Sequence, residues 1–193
     1  MEKLRAIFFK YRSYTPIPFL IAMLYFQEAT ITSLILGFII AIIGEATRFW
    51  GVSYAGSETR TTGSVGGSQL VISGPFAHVR NPLYVGNMMM YVGIGIMSLA
   101  LFPYLQIAAL VFFLIQYKFI IDGEEEYLKK TFKQDYKQYC ENVPRLIPQF
   151  RKYKNENLSQ PKFDFSVGLK SEMRTLQAFF SVIVILLILF VVK

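Results

Sequence analysis

The chain has 193 residues, 53% of them hydrophobic and only 17% charged, with a formal net charge of +7. That is too apolar for an ordinary soluble domain and too short for more than one sizeable core. A single cysteine, Cys140, excludes an intrachain disulfide and a cysteine-based metal site, and a single histidine, His78, excludes a multi-histidine metal centre.

The apolar residues fall in blocks, which predicts an all-α integral membrane bundle of about five transmembrane helices forming a single membrane domain over 1–193. The position of the positive charge matters more than its sum, and the partner it predicts is the lipid bilayer rather than nucleic acid. Residues 1–14 carry Lys3, Arg5, Lys10 and Arg12 before Thr15-Pro16-Ile17-Pro18 interrupts the run. With no small-residue cleavage site after it, this segment reads as mature protein and not as a signal peptide. The first apolar run, 16–26, is short against the roughly 20 residues a span needs.

Residues 31–50 form a stronger span. Glu45 and Arg48 lie three apart, so they can pair on one helix face, and the cost of intramembrane charge turns them toward the interface or the bundle interior. Residues 51–73 are polar and rich in Gly, Ser and Thr, including Arg60-Thr61-Thr62-Gly63, and read as a connecting loop or a ligand-binding one. Residues 83–101 and 104–121 form two further spans, joined at Phe102-Pro103 as a tight antiparallel hairpin, with Gly93 and Gly95 allowing close helix approach.

From 122 to 174 the chain is cytosolic in character. Leu128, Phe132, Tyr136 and Tyr139 recur at helical spacing between Lys129, Lys130, Lys133 and Lys137, which predicts a cytosolic amphipathic helix suited to an anionic membrane face. A polar linker over 155–162 precedes a last span at 176–192. Four Lys or Arg precede the first span, three lie from Arg48 to Arg80, and twelve lie from Lys118 to Arg174. With five spans and a cytoplasmic N-terminus all nineteen fall on one side, leaving only Lys193 outside, so the expected topology is N-in, C-out. It also puts the segments before the third span and after the fourth on one cytosolic face.

Two stretches on that face carry the chemistry. In Gly74-Pro75-Phe76-Ala77-His78-Val79-Arg80-Asn81-Pro82-Leu83-Tyr84-Val85-Gly86, Asn81 reads as a helix cap and Pro82 as the first helical residue. A helix N-terminus beside Arg80 attracts a carboxylate or phosphate. Asp122-Gly123-Glu124-Glu125-Glu126 places four acids in five residues beside the bilayer, either as a solvated helix start, where acids suit the dipole, or as a pocket for a cation, whether a ligand's ammonium or Arg80. Adjacent helical residues point about 100° apart, so Glu124 and Glu125 take different partners.

The first stretch, a helical hairpin, and then Glu124-Glu125-x-x-Leu128-x-x-x-Phe132…Tyr136…Tyr139…Val143-Pro144-Arg145-x-x-Pro148 together resemble the isoprenylcysteine carboxyl methyltransferase and phospholipid methyltransferase superfamily. The resemblance covers about 70–148, between N-terminal spans with a polar loop (1–69) and a linker with a C-terminal span (149–193). It implies a multi-pass enzyme, its active site facing the cytosol, that moves a methyl group from S-adenosylmethionine to a lipophilic acceptor and leaves S-adenosylhomocysteine. Carried over by position, His78, Val79, Arg80, Asn81, Pro82, Tyr84, Gly86, Glu124 and Glu125 would line the cofactor site. Arg80, Asn81 and Glu125 would act in catalysis, and Tyr139 and Arg145 would meet the acceptor. Asn81 stands where many members have His, and phosphatidylethanolamine methyltransferases resemble it better there; Asn142 stands where eukaryotic carboxyl methyltransferases have Arg.

Methyl transfer to a carboxylate needs no base, whereas transfer to an amine needs a proton acceptor, for which Glu125 and His78 are the candidates. Sterol reductases carry a similar Arg80-x-Pro82-x-Tyr84-x-Gly86 motif and a similar Tyr139-Cys140…Val143-Pro144 ending, so an NADPH-dependent oxidoreductase is the second reading. The acids at 122–126 oppose the extra phosphate of that cofactor. A non-catalytic scaffold that binds anionic lipid is the third.

Overall fold

The computed structural model describes residues 2–56 and 69–193, and among them the chain is all helical, with no strand. The loop stretch Arg60-Thr61-Thr62-Gly63 lies outside the described residues. Six α-helices follow in order: α1 (Glu2–Tyr11), α2 (Pro16–Tyr25), α3 (Ile31–Ala55), α4 (Pro82–Ser98), α5 (Tyr104–Asn142) and α6 (Phe165–Val192), with a 3-10 turn at Gly74–Ala77. Three of them, α3, α5 and α6, are long and apolar enough to cross a membrane. At 10 and 17 residues, α2 and α4 are shorter.

Helix α3 starts at Thr30, whose hydroxyl accepts from the Ser33 N–H while the Ser33 hydroxyl takes the Thr30 N–H, a reciprocal cap. It runs on to Ala55, through residues the sequence pattern assigns to the loop, because Val52, Ser53 and Ala55 are buried against the bundle. Its seam with α4 is built from glycine. A Cβ at Gly86 would stand 2.6 Å from the Gly44 carbonyl oxygen, and one at Gly93 would meet the Ala41 backbone at 2.5 Å. Only glycine lets the two backbones come this close.

Gly95, by contrast, faces Gln106 and Met23. The hairpin between α4 and α5 closes through Leu99 and Leu101, both in the left-handed region at φ 49° and 47°.

The amphipathic segment continues from the fourth span without a break at Ile121, so the acids at 122–126 lie within the helix and not at a helix start. The break comes later: α5 kinks at Lys133 (φ 42°, ψ −110°), beyond which a second helical stretch runs to Asn142. From Tyr104 to the kink, at 1.5 Å per residue, is about 43 Å, longer than the ~30 Å hydrocarbon core, so the part beyond Ile121 stands clear of the lipid. Its apolar face is also not free to lie on lipid. Tyr136 and Tyr139 are buried with Leu70, Ile72 and Val143, and Leu128, Phe132, Tyr153 and Leu158 pack around them as a second, smaller core. The main core joins Met23, Ile94, Met97, Phe113, Ile120 and Leu186, from α2, α4, α5 and α6.

The last helix begins at Phe165, earlier than its apolar run. Asp164 caps it by accepting from the Ser166 and Val167 N–H groups.

Candidate functional site

The two stretches singled out in the sequence meet. Arg80 Nη1 lies 3.2 Å from Glu125 Oε1, and Arg145 Nε reaches the same oxygen at 3.2 Å. Arg145 also pairs through Nη2 with Asp122. One carboxylate, 7% exposed as a residue, therefore sits between two guanidinium groups contributed by different segments. The Arg145 hydrogen bond is also what holds the Asp122 carboxyl below its ordinary range.

Backbone contacts explain how segments so far apart in sequence come together. The Arg80 N–H donates to the Pro144 carbonyl at 2.9 Å, Gln149 N–H to the His78 carbonyl at 3.0 Å, and Tyr153 N–H to the Ala77 carbonyl at 3.0 Å. The Tyr139 hydroxyl donates to the Phe76 carbonyl at 2.7 Å. Residues 143–153 thus latch across the 3-10 turn and fix where Arg80 points. Asn81 takes part in this latch instead of capping α4: its side-chain amide donates to the Arg145 carbonyl at 3.1 Å and makes no cap bond. Donating to that tertiary carbonyl fixes the side chain in an orientation in which its oxygen accepts from no helix N–H group.

The other expected residues divide by place. Tyr84 donates its hydroxyl to Glu124 Oε1 at 2.8 Å, on the side of α5 turned toward the bundle. His78 Nδ1 faces the Gln149 carbonyl at 3.0 Å, and since a carbonyl only accepts, Nδ1 carries the hydrogen. Val79 and Pro82 are buried, while Gly86 serves the glycine seam with α3. Cys140 Sγ accepts from Arg80 Nη1 at 2.8 Å, a role that cysteine arithmetic cannot reveal.

The four acids separate by their partners. Glu125 and Asp122 belong to arginines, and Glu126 takes Arg5 and Lys130, each at 2.8 Å. Glu124 alone of the four has no cation within ion-pair distance among the described residues, and the group bound to it is the neutral Tyr84 hydroxyl. Burial pushes its carboxyl up to about 7, against the pull of the Tyr84 hydrogen bond and of Arg12. Beside them a cleft of about 250 Å³ is lined by Arg5, Asp122, Glu125, Glu126 and Lys129.

A second ionic centre lies inside the bundle. Arg48 on α3 donates to Asn87 Oδ1 of α4 at 2.6 Å and to Glu172 Oε1 of α6 at 2.7 Å, while Glu45 is 3.8 Å away. The pair expected within α3 is therefore the longer of two. Glu172, in a stretch whose composition reads as cytosolic, is fully buried. Its signal is faint: one inward acid among outward charges at 170–174.

Residues 32–135 match the family described as phospholipid methyltransferase, more than half of the chain. The chain belongs to this family. It is 31% identical over 124 residues to the "cobalt-zinc-cadmium resistance protein CzcN" of Cupriavidus metallidurans, covering 63% of this chain and 50% of that protein. It is 29% identical over 133 residues to the "nickel-cobalt-cadmium resistance protein NccN" of Alcaligenes xylosoxydans xylosoxydans, covering 68% and 55%. The chain thus matches about half the length of these curated relatives. Among the described residues no group of three or more His, Cys, Asp or Glu is arranged to hold a metal ion.

Proposed function

We propose that this protein transfers a methyl group from S-adenosylmethionine to a lipophilic acceptor reaching it from the bilayer, with the site on the cytosolic face. The observation that supports this most is the meeting of Arg80, Glu125, Arg145 and Asp122 beside an open cleft. The methionine end of that cofactor is a zwitterion, and this is a zwitterion's counterpart. A bound carboxylate can take one arginine while the ammonium takes the acid that arginine leaves, so one internal pair is replaced by two external ones without change of net charge. Arg80 Nε is buried without a hydrogen-bond partner, a donor that an incoming carboxylate would satisfy.

When bound, S-adenosylmethionine supplies an electrophilic methyl on a sulfonium. The residues' own tasks are alignment and exclusion of water, because a direct displacement needs little else. Arg80, Glu125 and Arg145 grip the zwitterion. The latch of 143–153 over 76–81 keeps those groups in register, and Tyr139 holds it in place through Phe76. With an amine acceptor, Glu124 takes the proton: Glu125 is engaged by two guanidiniums, His78 Nδ1 is committed to a carbonyl, and Glu124 has no such cation.

The relatives' names speak of metal resistance. On this reading, resistance would follow from a methylated membrane component. Titrating the detergent-solubilised protein with S-adenosylhomocysteine and, separately, with NADPH tests the assignment. Binding of the first alone is expected; binding of NADPH alone would move the chain to the reductase reading, and binding of neither to the scaffold.

A further inference from the structure

The buried centre around Arg48 has no part in the chemistry above, yet it is wired to it. Arg48 holds the amide oxygen of Asn87, which lies three residues after Tyr84 on α4. Asn87 stands one turn beyond Tyr84, on the same side of α4. The Tyr117 ring packs on Tyr84 at 4.7 Å between centroids, and Tyr84 donates to Glu124. Every link is buried or half-buried, and the far end is Glu172, on a helix that lies wholly outside the family-matched residues 32–135.

We propose that Glu172 is a positioning residue for the cytosolic site. By anchoring Arg48 it fixes Asn87 and with it the turn of α4 that carries Tyr84, and so sets where the Glu124 carboxylate stands. Loss of its charge leaves the Arg48 guanidinium under-compensated in an apolar surround. Arg48 then turns toward Glu45, 3.8 Å away, and releases Asn87. The C-terminal helix in this account is a part of the active-site scaffold and more than a membrane anchor. The inference rests on the methyltransferase reading for its consequence but not for its geometry.

The experiment uses the whole chain in detergent, with Glu172→Gln, Tyr84→Phe and the double variant. Glu172→Gln is expected to weaken S-adenosylhomocysteine binding about tenfold in calorimetry, and to add little on the Tyr84→Phe background, because both act through one link. Arg48→Lys, which keeps the charge pair, should recover part of the loss relative to Arg48→Met. Hydrogen exchange of the ligand-free protein should quicken in 82–91 and 117–125 in Glu172→Gln while 104–112 stays unchanged.

Unchanged affinity and unchanged exchange at 82–91 would overturn the proposal, as would full additivity with Tyr84→Phe. If Glu172→Gln does not fold, the Arg48→Met/Glu172→Met double variant removes both charges without orphaning either, and the same two readouts decide. If the unaltered protein fails to bind S-adenosylhomocysteine, the cofactor reading falls, and the exchange pattern alone judges the inference.

Discussion

Two ionic centres of similar make-up sit in this molecule and differ in everything that surrounds them. Toward the surface, Asp122 and Glu125 line an open cleft and pair with Arg80 and Arg145 beside it, Arg145 being 31% exposed by side chain. In the bundle, Arg48 and Glu172 are 13% and 0% exposed, and their partners come from three helices. The Arg145–Asp122 pair, 31% and 25% exposed, can open and exchange with a solute, and it gives Glu125 and Arg80, at 9% and 15% nearly as enclosed as Arg48, an open side. The buried pair cannot, because separating it strands a charge in an apolar medium. The same side chains serve recognition in one place and architecture in the other.

Breaking the buried centre should have the largest effect. Glu172→Ala is expected to cost about 3–5 kcal/mol, the usual penalty for orphaning one partner of a buried pair, read as a fall in thermal midpoint in detergent. Arg80→Ala and Glu125→Ala should do the reverse: each is expected to abolish S-adenosylhomocysteine binding in calorimetry while leaving the midpoint within a few degrees. A midpoint collapse in Arg80→Ala would erase the distinction between the two centres.

A pH titration sharpens it further. Glu124 titrates near 7, so the site gains a negative charge between about pH 6 and 8. Affinity for the cationic cofactor should rise over that window, and Glu124→Gln should flatten the rise. Tyr84→Phe removes a hydrogen bond that favours the ionised form and should move the rise to higher pH. The stability sign is opposite: with its folded value raised, Glu124's contribution is complete below its ordinary value and is lost as pH climbs through about 7. The smallest effect belongs to the exposed rim, where Lys130→Ala should leave both the thermal midpoint and ligand affinity unchanged within error.

Much of the surface centre is visible in the residue order, because its signals are local. Asn81-Pro82 marks a helix start, and 122–126 is a dense acidic run beside an apolar one. Basic-residue counts set both stretches on one side. What escapes is contact that depends on tertiary competition. Asn81 looks like a cap until the Arg145 carbonyl, 64 positions away, offers a better partner. The span and the amphipathic helix, separate in the residue pattern, join without a break at Ile121 and kink at Lys133 instead, and the apolar face of the extension is covered by Leu70 and Ile72 instead of lipid. Glu172 is the hardest to find. Its partner lies 124 residues upstream, and one inward acid in a charged stretch leaves no periodic trace.

The glycine seam between α3 and α4 has a consequence for traffic. Where Gly44 meets Gly86 and Gly93 meets Ala41, the backbones stand too near each other for even a methyl group to intervene. An acyl chain is at least as wide as the methyl that cannot enter, so that side of the bundle is a sealed wall. On the proposed function, a lipophilic acceptor would reach the cleft beside Glu125 along a different flank.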